Sequence, residues 1–176
     1  MMILSKLPLS AAALVLCTSL AAQADVTVRF IESAPKDSFV VTNTSACALP
    51  AQVLTLDLST SAAGLIFDVT DQGAGVEVFQ PLEFVQGQPL VQTVSQPMDG
   101  DQQLVMSLNA MQPGEVLRLT IDLDDTLAAG ELGQIRVSGS EIEGAQVLQS
   151  LGSFEPTIAS FNSKGMATVA TPACTS

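Results

Sequence analysis

The sequence contains no histidine, and this absence removes most familiar catalytic chemistry. Ser-His-Asp hydrolysis, Cys-His proteolysis and imidazole base catalysis all need an imidazole, as do nearly all catalytic zinc sites. The three cysteines form no C-x-x-C motif, and the glycines at 73–75 lack the following helix that a phosphate-binding loop requires. We therefore predict that the chain is not an enzyme and has no catalytic residue.

Tryptophan and tyrosine are also absent. Sugar-cleaving clefts commonly use these side chains as flat surfaces on which a sugar ring stacks. Paired carboxylates can still act as the acid and the nucleophile or base of a glycosidase. A carbohydrate-binding or carbohydrate-cleaving protein therefore remains an alternative, with the missing aromatic residues against it.

Basic residues are scarce, with six Lys and Arg against eighteen Asp and Glu and a formal net charge of −12. A field of this sign repels nucleic-acid phosphates and anionic membrane surfaces, and it attracts cations. We expect no nucleic-acid partner. A metal cation is the small ligand that this charge favours.

The first 24 residues have the organisation of a signal peptide. Lys6 gives a short basic region, residues 7–20 are apolar and rich in alanine, and Ala22-Gln23-Ala24 has the small-x-small form of a cleavage site. The predicted cleavage lies between Ala24 and Asp25. Because the apolar stretch is short and no basic stop-transfer flank follows it, we predict no transmembrane segment in the mature form and a periplasmic or extracellular location.

Cleavage leaves two cysteines, Cys47 and Cys174. In an exported protein an isolated pair of cysteines usually becomes a disulfide, which here would tie the end of the chain to the loop after the second strand. Such a bridge stabilises a domain by about 2 to 4 kcal/mol. Two free thiols are the alternative.

Short alternating segments separated by Gly, Pro, Asp and Asn fill residues 25–176 and predict strands. Since no segment of the mature chain has a long helical period, we predict a single all-β domain, an antiparallel β-sandwich of jelly-roll or immunoglobulin-like type with roughly ten short strands. Residues 150–176 have weaker patterns and are expected to form a looser tail tied back by the disulfide. The predicted strands are 26–32, 38–43, 52–58, 65–70, 76–84, 90–94, 104–108, 116–124, 135–138, 145–148, 157–161 and 167–170.

Carboxylates crowd two turns and are the candidate functional residues. Calcium takes six to eight oxygen ligands, and short Asp side chains at loop ends can converge on one ion. The candidate calcium ligands are Asp99, Asp101, Asp122, Asp124 and Asp125, to which Asp57, Asp68 and Asp71 could be added. The competing interpretation is that all of them are solvated turn residues. Glu141 and Glu143 are expected to decorate a turn.

Five segments of the chain resemble one family of small exported proteins. They are V-R-F-I-E-S-A-P-K-D-S-F at 28–39, A-G-L-I-F-D-V-T-D-Q-G-A-G-V-E-V-F-Q-P-L-E at 63–83, D-G-D at 99–101, P-G-E-V-L-R-L-T-I-D-L-D-D-T-L at 113–127 and V-S-G-S-E-I-E-G-A-Q-V at 137–147. The segments are similar to proteins of marine alphaproteobacteria labelled "aggregation factor core", after the core protein of the sponge aggregation factor. This resemblance implies calcium-dependent adhesion or self-association. It brings no catalytic motif.

We therefore expect an exported, non-catalytic interaction or adhesion module, stabilised by calcium, that takes part in cell-surface aggregation through a protein or cell-surface partner. One alternative is the carbohydrate-binding or carbohydrate-cleaving protein described above. Another is a passive structural subunit that joins a surface assembly through an exposed edge strand.

Overall fold

A computed structural model describes residues 24–75, 78–127 and 136–171. The regular secondary structure of this part of the chain is almost entirely β-strand, with one short 3-10 turn at Gln88–Leu90. The strands are β1 (Ala24–Ile31), β2 (Asp37–Asn43), β3 (Gln52–Asp57), β4 (Ile66–Phe67), β5 (Glu83–Gln86), β6 (Val91–Val94), β7 (Gln103–Leu108), β8 (Val116–Ile121), β9 (Leu123–Asp124), β10 (Gln146–Ser150), β11 (Thr157–Ser160) and β12 (Met166–Thr171).

Ten of these strands form two five-stranded antiparallel sheets that pack face to face. Sheet I has the order β12-β1-β2-β8-β5, and sheet II has the order β11-β10-β3-β7-β6. The predicted all-β sandwich is confirmed. The first and second strands form the antiparallel hairpin that their alternating patterns indicate.

Apolar residues at every second position of the strands form the core between the two sheets. Along β1, Val26, Val28 and Phe30 are buried, and Leu54 and Leu56 are buried on β3. Aromatic rings connect the sheets as well. The Phe39 ring of sheet I lies 6.2 Å, centroid to centroid, from the ring of Phe161, which follows β11. Burial of this apolar surface is the main force that holds the sandwich together.

A third, two-stranded sheet continues one end of sheet I. Asp122 interrupts the strand pattern after β8, and the chain then forms β9, which pairs with β4 in an antiparallel register. The predicted strand at 65–70 is thus only two residues long. This small sheet positions the candidate site.

Three further segments can be compared with their predictions. The predicted strand at 76–84 is wrong over residues 78–82, which form no strand. Strand β5 begins at Glu83, lies at the edge of sheet I and has a register irregularity between Phe84 and Gln86, as the interruption at Pro81 indicates. Residues 136–138 form no strand, and the rest of that predicted strand lies outside the described residues. Beyond residue 150, β11 pairs with β10 and β12 pairs with β1.

Within the described ranges, no helix is long and apolar enough to cross a membrane. The predicted signal peptide covers residues 1–24, and residues 1–23 lie outside the described part of the chain. The predicted cleavage site, between Ala24 and Asp25, falls at the start of β1.

Candidate functional site

Six buried acidic side chains lie at the end of the sandwich that holds the small sheet, and we call them the acidic cluster. Each of them exposes 6% or less of its surface. Burial strips water from a carboxylate, so an ionised form needs a nearby proton donor or a cation. The members of the acidic cluster are Asp37, Asp68, Asp122, Asp124, Asp125 and Glu141.

Strand pairing explains why residues distant in the sequence meet here. Asp37 begins β2 and pairs with Ile121, the residue immediately before Asp122. Asp124 belongs to β9, which pairs with β4. Just after β4, the Asp68 N–H donates to the Asp122 carbonyl oxygen over 3.2 Å. The ends of three strands therefore bring four carboxylates together.

Two loops bring the remaining members into the cluster. The Ala63 N–H donates to the Glu141 carbonyl oxygen over 3.2 Å, and the Ala63 carbonyl oxygen accepts from the Thr126 N–H over 3.2 Å. Asp125 precedes Thr126 and so lies beside Glu141. The Glu141 carboxylate also accepts the Ser138 N–H at 2.6 Å. Glu141 and Glu143 both lie in the predicted turn, but Glu141 is buried and belongs to the site, whereas Glu143 is exposed.

Burial and repulsion by neighbouring carboxylates raise the pKa values of Asp122 and Asp125. Burial, then the charges of Asp124 and Asp68, raise the pKa of Asp122 to about 7. Burial and then the charge of Glu141 raise the pKa of Asp125 as well. Both effects act on the charged form, since a low dielectric and a neighbouring like charge each disfavour it.

Asp37 experiences the same forces at the start of β2. Burial raises the pKa of Asp37 to about 8, helped by repulsion from Asp122 and Glu32. The Ser33 N–H, which donates to Asp37 Oδ1 at 3.0 Å, and the Arg136 guanidinium act in the opposite direction. Their effect is smaller than that of burial.

Several carboxylate oxygens of the acidic cluster have no hydrogen-bond partner among the described residues. They are Oδ2 of Asp122 and both Oδ1 and Oδ2 of Asp125, although the Leu127 N–H lies near enough to Asp125 to oppose the rise in the pKa of Asp125. The exposed fraction of each of these two side chains is 3%. Either bound protons or a cation must therefore balance the cluster at neutral pH.

Lysine and arginine side chains neutralise little of the negative charge of the acidic cluster. Two ion pairs form among the described residues, and both join basic groups to acids outside the acidic cluster. Arg136 pairs with Glu32 at 2.6 Å, and Lys36 pairs with Glu83 at 2.5 Å. No three of the described acidic or thiol side chains are placed to hold one metal ion as they stand. Binding of an ion would require the carboxylates to rotate toward it.

Asp99 has a different role from the one predicted for it. Its Oδ1 accepts the N–H groups of Val69 and Thr70, each at 2.8 Å, and its Oδ2 accepts the Thr70 hydroxyl at 2.5 Å. Burial acts to raise the pKa of Asp99, but these hydrogen bonds outweigh burial and lower the pKa. Among them, the hydrogen bond from the Thr70 hydroxyl has the largest effect. Asp99 therefore fastens the loop that follows β4.

Replacing Asp99 by Ala is expected to loosen this loop. Hydrogen bonds to a charged acceptor typically contribute about 1.5 to 3 kcal/mol, and the solvent exposure of Asp99 reduces this to about 1 kcal/mol, or a few degrees in Tm. Calorimetry of Asp99→Ala measures the loss. Asp99→Asn keeps one carbonyl acceptor and should lose less. Equal Tm values for Asp99→Ala and the unaltered protein would contradict this role.

The other acids named from the sequence lie in turns or, for Asp57, at the end of a strand. Asp101 Oδ2 accepts the Met98 N–H at 2.8 Å within its own turn. Asp57 accepts the Ser59 N–H at 2.9 Å, and Asp71 is exposed. The structure thus brings Asp122, Asp124 and Asp125 together with Asp68, and it places Asp99 and Asp101 in one turn, at residues 98–101, where each accepts backbone N–H groups.

Residue pattern alone misses Asp37 and Glu141 as members of the site. Both look like turn residues in the sequence, since Asp37 follows Pro35-Lys36 and Glu141 stands in S-E-I-E-G. Their burial depends on strands and loops that come from elsewhere in the chain. No local signal would have identified them.

Cys47 lies in the loop after β2 and is half-buried. Cys174, its predicted partner, lies outside the described residues, so the disulfide stays a prediction. Strand pairing relates the two segments through β1, since Thr171 at the end of β12 pairs with Ala24 of β1, and Val26 of β1 pairs with Asn43 of β2. The end of β12 and the loop that holds Cys47 are therefore at the same end of sheet I.

No family model, no curated protein and no solved structure matches the chain.

Proposed function

We propose that this protein is an exported, non-catalytic interaction module whose acidic cluster binds a calcium ion. The observation that carries the proposal is the set of partnerless carboxylate oxygens on Asp122 and Asp125, buried beside four further acids. A solvated turn leaves its carboxylates in water, where they need no partner. These two residues are cut off from water and repel their neighbours.

Calcium suits this cluster better than the other common divalent cation. It accepts irregular sets of six to eight oxygen ligands at 2.3 to 2.6 Å, whereas magnesium demands a near-ideal octahedron and gives up its water reluctantly. The acids of the cluster come from strand ends and two loops, and their geometry is irregular. Rotation of Asp122, Asp124 and Asp125 about their side-chain bonds would let them share one ion.

The interaction role draws on the resemblance to aggregation factor core proteins and on the edge of sheet I. Strand β5 is an edge strand with an exposed apolar side chain, Val85 at 53% exposure, whereas β11, the edge of sheet II, lies against β12 of sheet I. An exposed sheet edge is a template for adding a strand from a partner. A calcium ion would fix the loops at one end of the sandwich and so keep such a surface in one conformation.

The same edge favours a second candidate, the passive structural subunit of a surface assembly. In that case association would depend on protein concentration and would be unaffected by a chelator. Hydrolysis of carbohydrate finds no support, since the paired carboxylates of the acidic cluster are buried and no substrate could reach them directly.

Thermal unfolding with and without calcium tests the proposal. The protein, purified after export with its own leader, is heated in excess EDTA, in millimolar calcium and in millimolar magnesium at matched ionic strength. A ligand at a hundred times its Kd adds about 2.7 kcal/mol to a folded state that alone binds it, and this corresponds to a rise in Tm of roughly 5 to 10 °C.

Because the chain has no tryptophan or tyrosine, circular dichroism or calorimetry is the appropriate probe. A rise in Tm with calcium alone supports the proposal. Coincident calcium and magnesium curves would refute it. Sedimentation of the same samples, with calcium and with EDTA, separates calcium-dependent association from the passive subunit.

A further inference from the structure

The outer face of sheet I carries two arginines that have no acidic partner among the described residues. Both ion pairs in this part of the chain belong to other bases, Lys36 and Arg136. Arg29 of β1 and Arg118 of β8 each pair with Val40 of β2, so the three side chains form one row on the face that points away from sheet II. We call it the arginine row. In a chain with eighteen acids, it is a local positive surface.

The surroundings of the arginine row leave its charge available to a partner. Adjacent strands are about 4.8 Å apart, so the Cα atoms of its two arginines are separated by about 10 Å. Of the acids on the same face, Glu83 is already paired with Lys36, and Asp25 is four strand residues from Arg29, or about 13 Å. Met166, which pairs with Arg29, is 40% exposed. The row therefore offers positive charge beside an apolar side chain.

A loop at the end of sheet II has the complementary character. Residues 151–156 connect β10 with β11, and we call them the Phe154 loop. Phe154 is 73% exposed, more than any other large apolar side chain in the described ranges. Glu155 follows it, is exposed and belongs to neither ion pair of this part of the chain. An aromatic ring packs well against guanidinium groups and against the sulfur of methionine, and a carboxylate pairs with arginine.

One molecule cannot bring these two surfaces together. The Phe154 loop extends sheet II, whereas the arginine row lies on the side of sheet I that points away from sheet II. Contact between them therefore requires two copies. Because the contact joins two different surfaces, each copy that takes part through one of them keeps the other for a further copy, and the association is heterologous.

We propose that the Phe154 loop of one copy docks on the arginine row of a second copy, with Glu155 between Arg29 and Arg118 and Phe154 against Met166. The inference rests on the interaction role in the proposed function, for which it names the partner, and it is independent of the calcium site. Elsewhere the net charge of −12 opposes contact between copies, so the positive row is where an acidic copy is attracted. So small a contact gives weak, salt-sensitive association.

Sedimentation velocity of the full chain, purified after export, tests this contact over a range of protein concentrations at low and high salt. Glu155→Arg and Arg29→Glu each place like charges in the contact and are expected to weaken association about 10- to 100-fold at low salt. Phe154→Ala removes the ring and is expected to weaken it about 10-fold. A mixture of Glu155→Arg with Arg29→Glu is expected to recover association, because the intact loop of the second variant docks on the intact row of the first.

Each variant has a matched control. Glu143→Arg reverses an exposed acid in the turn beside the acidic cluster, and Thr93→Glu places a glutamate on β6, an exposed position of sheet II. Val85→Lys puts a charge on the edge of β5, which hinders addition of a strand there. All three are expected to associate like the unaltered protein. Circular dichroism verifies that every variant folds.

The outcomes separate this contact from the proposed function. If the protein associates but the loop and row variants behave like their controls, the contact is wrong and the interaction role stands. Loss of association in Val85→Lys alone would assign it to the edge of β5 instead. A protein that stays monomeric overturns the contact, while the response of its Tm to calcium still decides the calcium site. If that monomer binds dextran sulfate and Arg29→Glu does not, the row serves a polyanion and not a second copy.

Discussion

Raising the pH from about 5 to about 8 in the absence of calcium is expected to lower the free energy of unfolding of this protein by several kcal/mol. Each buried carboxyl that titrates contributes up to about 1.4 kcal/mol per pH unit. Most acidic proteins are insensitive to pH in this range, because their carboxylates are already ionised in the folded and unfolded states. Here Asp37 and Asp122 differ, since the pKa of Asp37 is raised to about 8 and that of Asp122 to about 7.

The direction follows from proton binding in the two states. In the unfolded chain both carboxyls release their protons near the usual pKa of 3.8, whereas in the folded protein they keep them up to the raised values. The folded state therefore binds more protons between these limits, and its stability falls as the pH rises through them. The pKa values of Asp57 and Asp99 are lowered, so their effects belong below the chosen range.

The groups facing these two carboxyls set the size of the effect. Asp37 faces Asp122, Glu32 and Arg136, and Asp122 faces Asp124 and Asp68 as well. Because Asp37 and Asp122 repel each other, they release their protons as a coupled pair. Arg136 opposes the shift of Asp37 and reduces the total.

Urea unfolding followed by circular dichroism at pH 5, 6, 7 and 8 in excess EDTA measures this dependence. The double variant Asp37→Asn/Asp122→Asn lacks these two carboxyls and should flatten the curve in part, since Asp125, whose pKa is also raised, remains. A free energy of unfolding that stays constant or increases between pH 5 and 8 would contradict the expectation. Millimolar calcium should also flatten it, since a bound cation stabilises the ionised carboxylates.

Local patterns in the sequence predict the sandwich well and the site only in part. Alternation of apolar residues identifies strands such as β3 and β7, because a half-buried strand must place every second residue in the core. The same alternation indicates that carboxylates cluster at Asp122, Asp124 and Asp125. It cannot indicate that Asp37 and Glu141 join them, because β2 and the loop after residue 138 reach the site only through pairing between distant strands.

The pattern also misjudges which acids lie in water. Asp99 and Asp101 stand around a turn glycine and look as suited to an ion as Asp122 does. In the folded chain Asp99 fastens the loop after β4, and Asp101 closes its own turn. Whether a carboxylate is held by N–H groups or left among other carboxylates depends on backbone groups that the sequence does not place.

Replacing Asp122 by Asn is expected to have two opposite effects. Without calcium at about pH 8 the variant should be more stable than the unaltered protein by about 1 to 3 kcal/mol, because it removes a charge that burial and repulsion disfavour. With calcium it should gain little or nothing, because a ligand of the proposed site is lost. The substitution keeps the shape of the side chain, so neither effect comes from repacking.

Asp101→Asn is the matched control, since it removes the same charge from a carboxylate that accepts the Met98 N–H in a separate turn. It should keep the full calcium response. Tm values of the three proteins in EDTA and in calcium decide between the two explanations of the acidic cluster. If Asp122→Asn is more stable in EDTA and the unaltered protein responds to calcium while the variant does not, the buried carboxylates bind the ion.

If Asp122→Asn is more stable in EDTA and none of the three proteins responds to calcium, protons alone balance the cluster. If Asp122→Asn is less stable in EDTA, the assumption that Asp122 is under repulsion is itself wrong. The direction in which Asp122→Asn changes the Tm without calcium is therefore as informative as the effect of calcium on the Tm. Suppose that Asp122 destabilises the metal-free protein and is also needed for calcium to stabilise the protein. A role in binding then explains this carboxylate more readily than a role in folding does.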